Sequence, residues 1–276
     1  MTLSRDGVAA VIGRPIHHSL SPVIHGAWLE AAGLRNQYIA LAPETPQAVW
    51  ALLDSDTLLG CNVTAPYKEV VFDWARPRGV VIGPEAAATR SVNLVRLGDH
   101  PRAESTDGTG LLAAIREQAP HLDLAAATVV VLGAGGAGRA AVQAMTSGGA
   151  TDIRVVNRTR DRALVLAEEQ GAGVAGFGLD EVEVALTGSH LLINAASSLE
   201  TLDLAGMSAG GAVMDMTYRP LETPLLARAR ARGLTPIDGL AMLIGQARPS
   251  FEVLFGQPAP EIDVRRLCLE ALEAQG

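Results

Sequence analysis

Three glycines, Gly133, Gly135 and Gly138, stand in G-x-G-x-x-G spacing within "VVVLGAGGAGRAA". The motif follows a strand-like run and opens a helix, the context in which such glycines cradle a pyrophosphate. The first glycine allows a tight turn, the second lets backbone approach the phosphates, and the third lets helix and strand pack closely. Gly136 and Ala137 lie between them at the helix start, where backbone N–H groups supply positive charge. The group that reads the adenosine ribose is expected roughly 20 residues on. There the chain reads "RVVNRTRDR", four arginines in nine positions of a protein whose formal net charge is −8. An acid at that strand end would accept from a ribose 2′-OH, but Asn157-Arg158-Thr159 supplies none. Arginine offers a planar fork to phosphate, so the expected cofactor is NADP, its 2′-phosphate held by Arg158 with Asn157, Thr159 and Arg162. Each charge-assisted hydrogen bond would add ~1.5–3 kcal/mol. Arg154, inside the strand, is the one expected to face solvent or a carboxylate, and Arg160 stands between these cases. Thr159 is also placed to cap the following helix.

A nicotinamide enzyme needs a second site, where a carbonyl or alcohol meets the ring and a proton is managed. Three polar clusters lie at expected strand ends: "GRPIHHSLSPVIH", "GCNVTAPYK" and "ESTDGTG". In α/β sheets ligands bind beyond the carboxyl ends of strands, so all three are candidates for one site. Lys68 follows Pro66 at a strand-to-helix turn, and Asp107 stands at a helix start. Reduction of a ketone develops an alkoxide that an ammonium can protonate, with a carboxylate to orient it. Spacing alone does not pair the two. His17, His18 and His25 have no H-x-x-x-H spacing or cysteine partner, so no metal site is expected.

These side chains need rigid elements beneath them. With 48% hydrophobic and 19% charged residues, a chain of 276 residues can bury a large core. Short apolar runs alternate with helical patterns, which predicts a two-domain α/β protein built on parallel sheet. Strands are expected at 8–13, in "QYIALA", at 58–63 and at 91–97, the last turning near Gly98, and then at 128–133, 153–157, 190–195 and 211–216. Ser21-Pro22 and Thr45-Pro46 should open helices with Ser and Thr as caps. Two helices, "GLAMLIGQARPSFEVLF" and "VRRLCLEALEA", close the chain. Residues 1–107, completed by helices within 240–276, form the expected substrate-binding catalytic domain, and 108–239 a Rossmann-like NADP domain.

The acidic balance argues against nucleic acid or anionic membrane as partner. The apolar run from Val8 to Ile12 is shorter than the ~7–15 residues of a signal-peptide core, and no run approaches the ~18 apolar residues of a membrane span. Cys61 and Cys268 have no CxxC spacing, which fits reduced thiols in a cytoplasmic protein.

"GRPIHHSLSP", "NVTAPYK", "STDGTG", "GAGGAGR", "NRT", "YRPLETPLL" and "DGLAMLIGQA" occur in an order and spacing that resembles the shikimate dehydrogenase family, from Gly13 to about Phe255. The resemblance implies NADP-dependent interconversion of 3-dehydroshikimate and shikimate in aromatic amino acid biosynthesis; the sequence itself does not choose between a monomer and a homodimer. It implies Lys68 as catalytic acid/base and Asp107 as its partner. Ser19 and Ser21 would hold the substrate carboxylate, with Tyr218 nearby, and Asn62, Thr64, Asn93, Asp107 and Gln246 would read the ring hydroxyls. Met216 and Gly239 would line the nicotinamide. Ser-x-Ser at 19–21 leans toward shikimate over quinate, again by resemblance. Ser105, Leu94 and "NAASSLE" (194–200) depart from the family's usual Asn, Thr and Asn-Ala-Thr-Ser-x-Gly. The alternatives are a relative acting on quinate or another hydroxylated ring acid, and an NADP-binding sensor without turnover.

Overall fold

The apolar runs fold as the strands of two six-stranded sheets, and helices pack against them. The computed structural model describes residues 6–196 and 202–275. Two compact units divide the chain: unit 1 runs to Thr106 and resumes at Gln246, and unit 2 is Asp107–Gly245.

Unit 1 contains β1 (Val8–Ile12), α1 (Ser21–Ala31), β2 (Gln37–Leu41), α2 (Pro46–Leu53), β3 (Gly60–Val63), α3 (Lys68–Ala75), β4 (Val81–Ile82), α4 (Pro84–Thr89), β5 (Leu94–Arg96) and β6 (Arg102–Glu104). Its strand order is β2-β1-β3-β5-β6-β4. β1 lies parallel to β2 and β3, whereas β5 is antiparallel to both β3 and β6. The sheet is therefore mixed, because β5 and β6 form a hairpin whose connection includes Gly98 at φ 101. The reversal has a use. It brings the residue before β5, Asn93, and the residues after β6 to the edge where β1 and β3 end. Ala10, Ile12, Cys61, Val63, Val71 and Trp74 are buried in one core cluster, each large apolar side chain contributing ~1.5–3 kcal/mol.

Thr45 caps α2 as expected, accepting from the Ala48 amide at 3.2 Å. Ser21 does not cap α1. Leu20 is already αR at φ −83, ψ −6, so the helix starts at Ser21, whose amide donates to Ser19 Oγ at 3.3 Å.

Unit 2 contains α5 (Asp107–Gln118), β7 (Thr128–Leu132), α6 (Gly136–Ser147), β8 (Asp152–Asn157), α7 (Arg160–Gln170), β9 (Val174–Gly178), α8 (Val182–Leu186), β10 (Leu191–Asn194), β11 (Ala212–Asp215), α9 (Pro224–Ala231) and β12 (Thr235–Ile237). All pairings are parallel in the order β12-β11-β10-β7-β8-β9. Strand order reverses between β7 and β10, the switch point at which α/β sheets bind ligands. β9 and β12 were not expected from the sequence: β9 carries two glycines and β12 is an edge strand containing Pro236, so neither shows a strong apolar run.

The two closing helices are α10 (Gly239–Phe255) and α11 (Val264–Gln275). The unit boundary falls inside α10, at Gly245 and Gln246, not ahead of the helix as its sequence pattern suggests.

Candidate active site

The glycine loop between β7 and α6 has the geometry a phosphate cradle requires. Gly133 has φ 106, and a Cβ on Gly138 would run into the Gly133 carbonyl. A Cβ on Gly135 would meet nothing within 4 Å, so that side of the loop is open. α6 has no side-chain cap, which leaves the first-turn amides of Gly136, Ala137 and Gly138 to a ligand. Asn157, ending β8, accepts from the Ala134 amide at 3.3 Å and donates to the Thr159 carbonyl at 2.9 Å. It ties the glycine loop to the arginine loop.

The four arginines divide by partner. Arg154 donates to the Ala185 and Thr187 carbonyls, both at 2.9 Å, and pairs with Asp152. Arg160 pairs with Glu181 at 2.9 Å, an exposed bond that raises the guanidinium's pKa, while the Gly178 amide and then Arg160 lower the carboxyl's. The Arg158 and Arg162 side chains are exposed and have no hydrogen bond or ion pair among the described residues, although the Arg162 amide donates to the Thr159 carbonyl at 3.0 Å. Thr159 precedes α7 and makes no capping bond there. These groups fit a dinucleotide that carries an extra phosphate. Met216 and Gly239 meet as well: a Cβ on Gly239 would lie 2.6 Å from the carbonyl oxygens of Met216 and Thr217.

In unit 1 the polar side chains gather at the edge that the hairpin completes. Thr64 follows β3, and its Cγ2 occupies the space that a Cβ on Gly13 would need. Lys68 is the first residue of α3, and its carbonyl accepts from the Val92 amide at 3.1 Å, beside Asn93. Asn93 Oδ1 accepts from the Thr106 amide at 2.8 Å. Its Nδ2 donates to Thr106 Oγ1 at 3.0 Å and to Gln246 Oε1 at 3.2 Å. Asn93, Thr106 and Gln246 are therefore one buried cluster. Asp107 is buried at the first position of α5, where a carboxylate is favoured. Tyr218 lies in the loop after β11, in unit 2 with Asp107.

Asn62 joins the Asn93–Thr106–Gln246 cluster. Its Oδ1 accepts from Tyr38 Oη at 2.8 Å, and its Nδ2 donates to Ser250 Oγ at 2.9 Å and to the Asn93 carbonyl at 3.2 Å. Its two N–H groups brace the cluster, and Oδ1 keeps a second acceptor site for a hydroxyl. The Ser21 side chain hydrogen-bonds Tyr38, whose phenol burial raises well above its ordinary value. Burial also pushes the Cys61 thiol up to about 12. Neither group is a proton carrier near neutrality. Sequence reasoning missed Tyr38, Thr106 and Ser250, and no spacing pointed to them. Of "NAASSLE", residues 197–200 lie outside the described residues. Among the described residues no metal-ligating cluster forms, and no helix is long and apolar enough to cross a membrane.

Residues 11–95 match the family model described as the shikimate dehydrogenase substrate binding domain. Residues 114–212 match that described as shikimate / quinate 5-dehydrogenase. The shikimate dehydrogenase (NADP(+)) of Caulobacter vibrioides (strain NA1000 / CB15N) is 43% identical over 279 residues, which cover 96% of this chain and 95% of that protein. The chain belongs to the shikimate dehydrogenase family. Among solved members of that family, the Thermus thermophilus shikimate 5-dehydrogenase in complex with NADP(H) and shikimate matches with TM-score 0.83 at 33% identity, covering 96% of this chain and 99% of that one. A quinate dehydrogenase from Corynebacterium glutamicum in complex with NAD matches with TM-score 0.84 at 26% identity, covering 98% and 99%.

Proposed function

We propose that this chain interconverts 3-dehydroshikimate and shikimate with NADP(H), in aromatic amino acid biosynthesis in the cytoplasm. Unit 2 takes the cofactor and unit 1 the ring acid. The observation that carries the reading is the pair Arg158 and Arg162, whose side chains lack partners among the described residues while Arg154 and Arg160 are committed elsewhere. They sit beyond β8, next to the strand that leads into the glycine loop.

NADPH, when bound, supplies the hydride that reduces the ring ketone. Gly133, Gly135, Gly136, Ala137 and Gly138 cradle its pyrophosphate. Arg158 and Arg162, with Asn157 and Thr159, take the 2′-phosphate, and Met216 and Gly239 face the nicotinamide. Lys68 gives a proton to the ketone oxygen as it becomes a hydroxyl, and removes it in the reverse direction. Asp107 orients the ammonium. Ser19 and Ser21 hold the carboxylate with Tyr218, while Asn62, Thr64, Asn93, Asp107 and Gln246 read the ring hydroxyls. A small polyhydroxylated acid calls for such short donors and acceptors.

Absorbance at 340 nm with shikimate or quinate, each with NADP⁺ or NAD⁺, tests the assignment. Reduced cofactor should form with shikimate and NADP⁺ alone. Faster turnover with quinate or with NAD⁺ would overturn the specificity. For Arg158→Ala, KM for NADP⁺ should rise ~10- to 100-fold, the weight of a charge-assisted bond, while KM for NAD⁺ hardly moves. Equal changes would remove Arg158 from phosphate recognition.

A further inference from the structure

The carboxyl end of β11 carries a buried carboxylate that the reaction as described does not use. Asp215 is only 4% exposed, and no ion pair reaches it among the described residues. A charge taken out of water without a counter-ion is costly, and it persists only where its hydrogen bonds compensate. Here they span a turn. Oδ1 accepts from the Thr217 amide at 3.0 Å, and Oδ2 accepts from Thr223 Oγ1 at 2.8 Å. Thr223 Oγ1 in turn accepts from the Leu226 amide at 3.3 Å, as the N-cap of α9. One side chain thus grips both ends of the segment that contains Tyr218.

The same turn is held from two other sides. The Met216 amide donates to the Asn194 carbonyl at 3.1 Å. Gly239, at the start of α10, lies so close to the Met216 and Thr217 carbonyls that a Cβ there would be 2.6 Å from each. Capping α9 needs only the Thr223 hydroxyl, so the cap does not explain a buried charge. Two donors converging on one side chain do explain it: a carboxylate accepts both, whereas an amide would turn its NH₂ toward one of them.

We propose that Asp215 is a positioning residue, which clamps residues 216–223 so that Met216 and Tyr218 are held ready for nicotinamide and substrate carboxylate. The proposal rests on the roles given to those two residues above. Preorganised contacts lose affinity when their support loosens.

The test is Asp215→Asn in the full chain, with Thr223→Val and Thr223→Ser beside it. For Asp215→Asn and Thr223→Val, Kd for NADP⁺ by calorimetry and KM for shikimate should both rise about tenfold. Affinity for adenosine 2′,5′-bisphosphate, which meets only the arginine end, should stay at the wild-type value. Thr223→Ser, which restores the hydroxyl, should restore both constants. A lower Tm with unchanged Kd and KM in Asp215→Asn and Thr223→Val would overturn the clamp and leave Asp215 a purely structural group. Met216→Ala and Tyr218→Phe in the native background separate the two readings. If they raise Kd or KM while Asp215→Asn does not, the clamp alone fails. If both are silent, the roles of Met216 and Tyr218 fail and the clamp falls with them.

Discussion

Lys68→Ala is expected to lower kcat by ~10²–10⁴ while KM for shikimate and NADP⁺ stays within a few-fold, because general acid–base catalysis acts in the transition state. The lysine opens α3 directly after the turn from β3, and its backbone is tied to the Val92 amide at 3.1 Å. Truncation at Cβ leaves that backbone bond and the Asn93–Thr106–Gln246 cluster in place. The loss should therefore fall on the chemical step and not on folding. Lys68→Arg is the informative companion. It keeps a positive charge but holds its proton far too tightly to exchange it near neutrality, so it should remain as slow as the alanine variant. Steady-state kinetics in both directions, with a melting curve as control, give the answer. Wild-type turnover in either variant would take Lys68 out of the mechanism.

Unit 1 should lose stability in mild acid through His25. The ring is fully buried, stacked on Tyr38 with centroids 4.1 Å apart and edge-on to Trp28 at 5.7 Å. Neither ring nitrogen has a hydrogen-bond partner among the described residues. Burial lowers its pKa from 6.5 to about 3. The folded pKa lies below the unfolded one, so between those values the unfolded chain binds the extra proton and stability falls as pH falls. The contribution is complete above pH 6.5 and drains away toward pH 3. At 1.36 kcal/mol per pKa unit this is about 2 kcal/mol between pH 7 and pH 5, and ~5 kcal/mol in full. Trp28, Trp50 and Trp74 are all the tryptophans of the chain and all lie in unit 1, so their fluorescence in urea reports this unit. His25→Leu forfeits no hydrogen bond and should flatten the acid limb. An unchanged pH slope in that variant would assign the acid loss to other groups.

Where the chain signals a function by local backbone demands, the signal was readable in the sequence. Gly133 and Gly138 must be glycine because of a positive φ and a carbonyl within reach of any Cβ, and their spacing reports just that. Lys68 and Asp107 head α3 and α5 as the Pro-containing turn and the strand-to-helix pattern foretold. The fold class followed from alternating apolar runs, since a strand buried on both faces must be apolar throughout.

Partner choice was not readable in this way. Nothing near Arg154 and Arg160 in the chain says that they are committed to the Ala185 and Thr187 carbonyls and to Glu181, leaving the Arg158 and Arg162 side chains without partners among the described residues. Nor does anything near Asn62 in the chain say that Tyr38, 24 residues away, and Ser250, 188 residues away, share its hydrogen bonds. β9 and β12 were invisible because glycine and proline at a sheet's margin erase the apolar pattern. The sequence alone determined the α/β class, the cofactor motif and which residue types stand at strand ends, because those depend on backbone conformation within a few residues. Only the tertiary structure decided that the first sheet is mixed, that Asn62 braces the cluster around Asn93, and that Asp215 grips the turn after β11. Those outcomes depend on which distant donors and acceptors come within about 3 Å, and strand pairing sets that distance where spacing along the chain cannot.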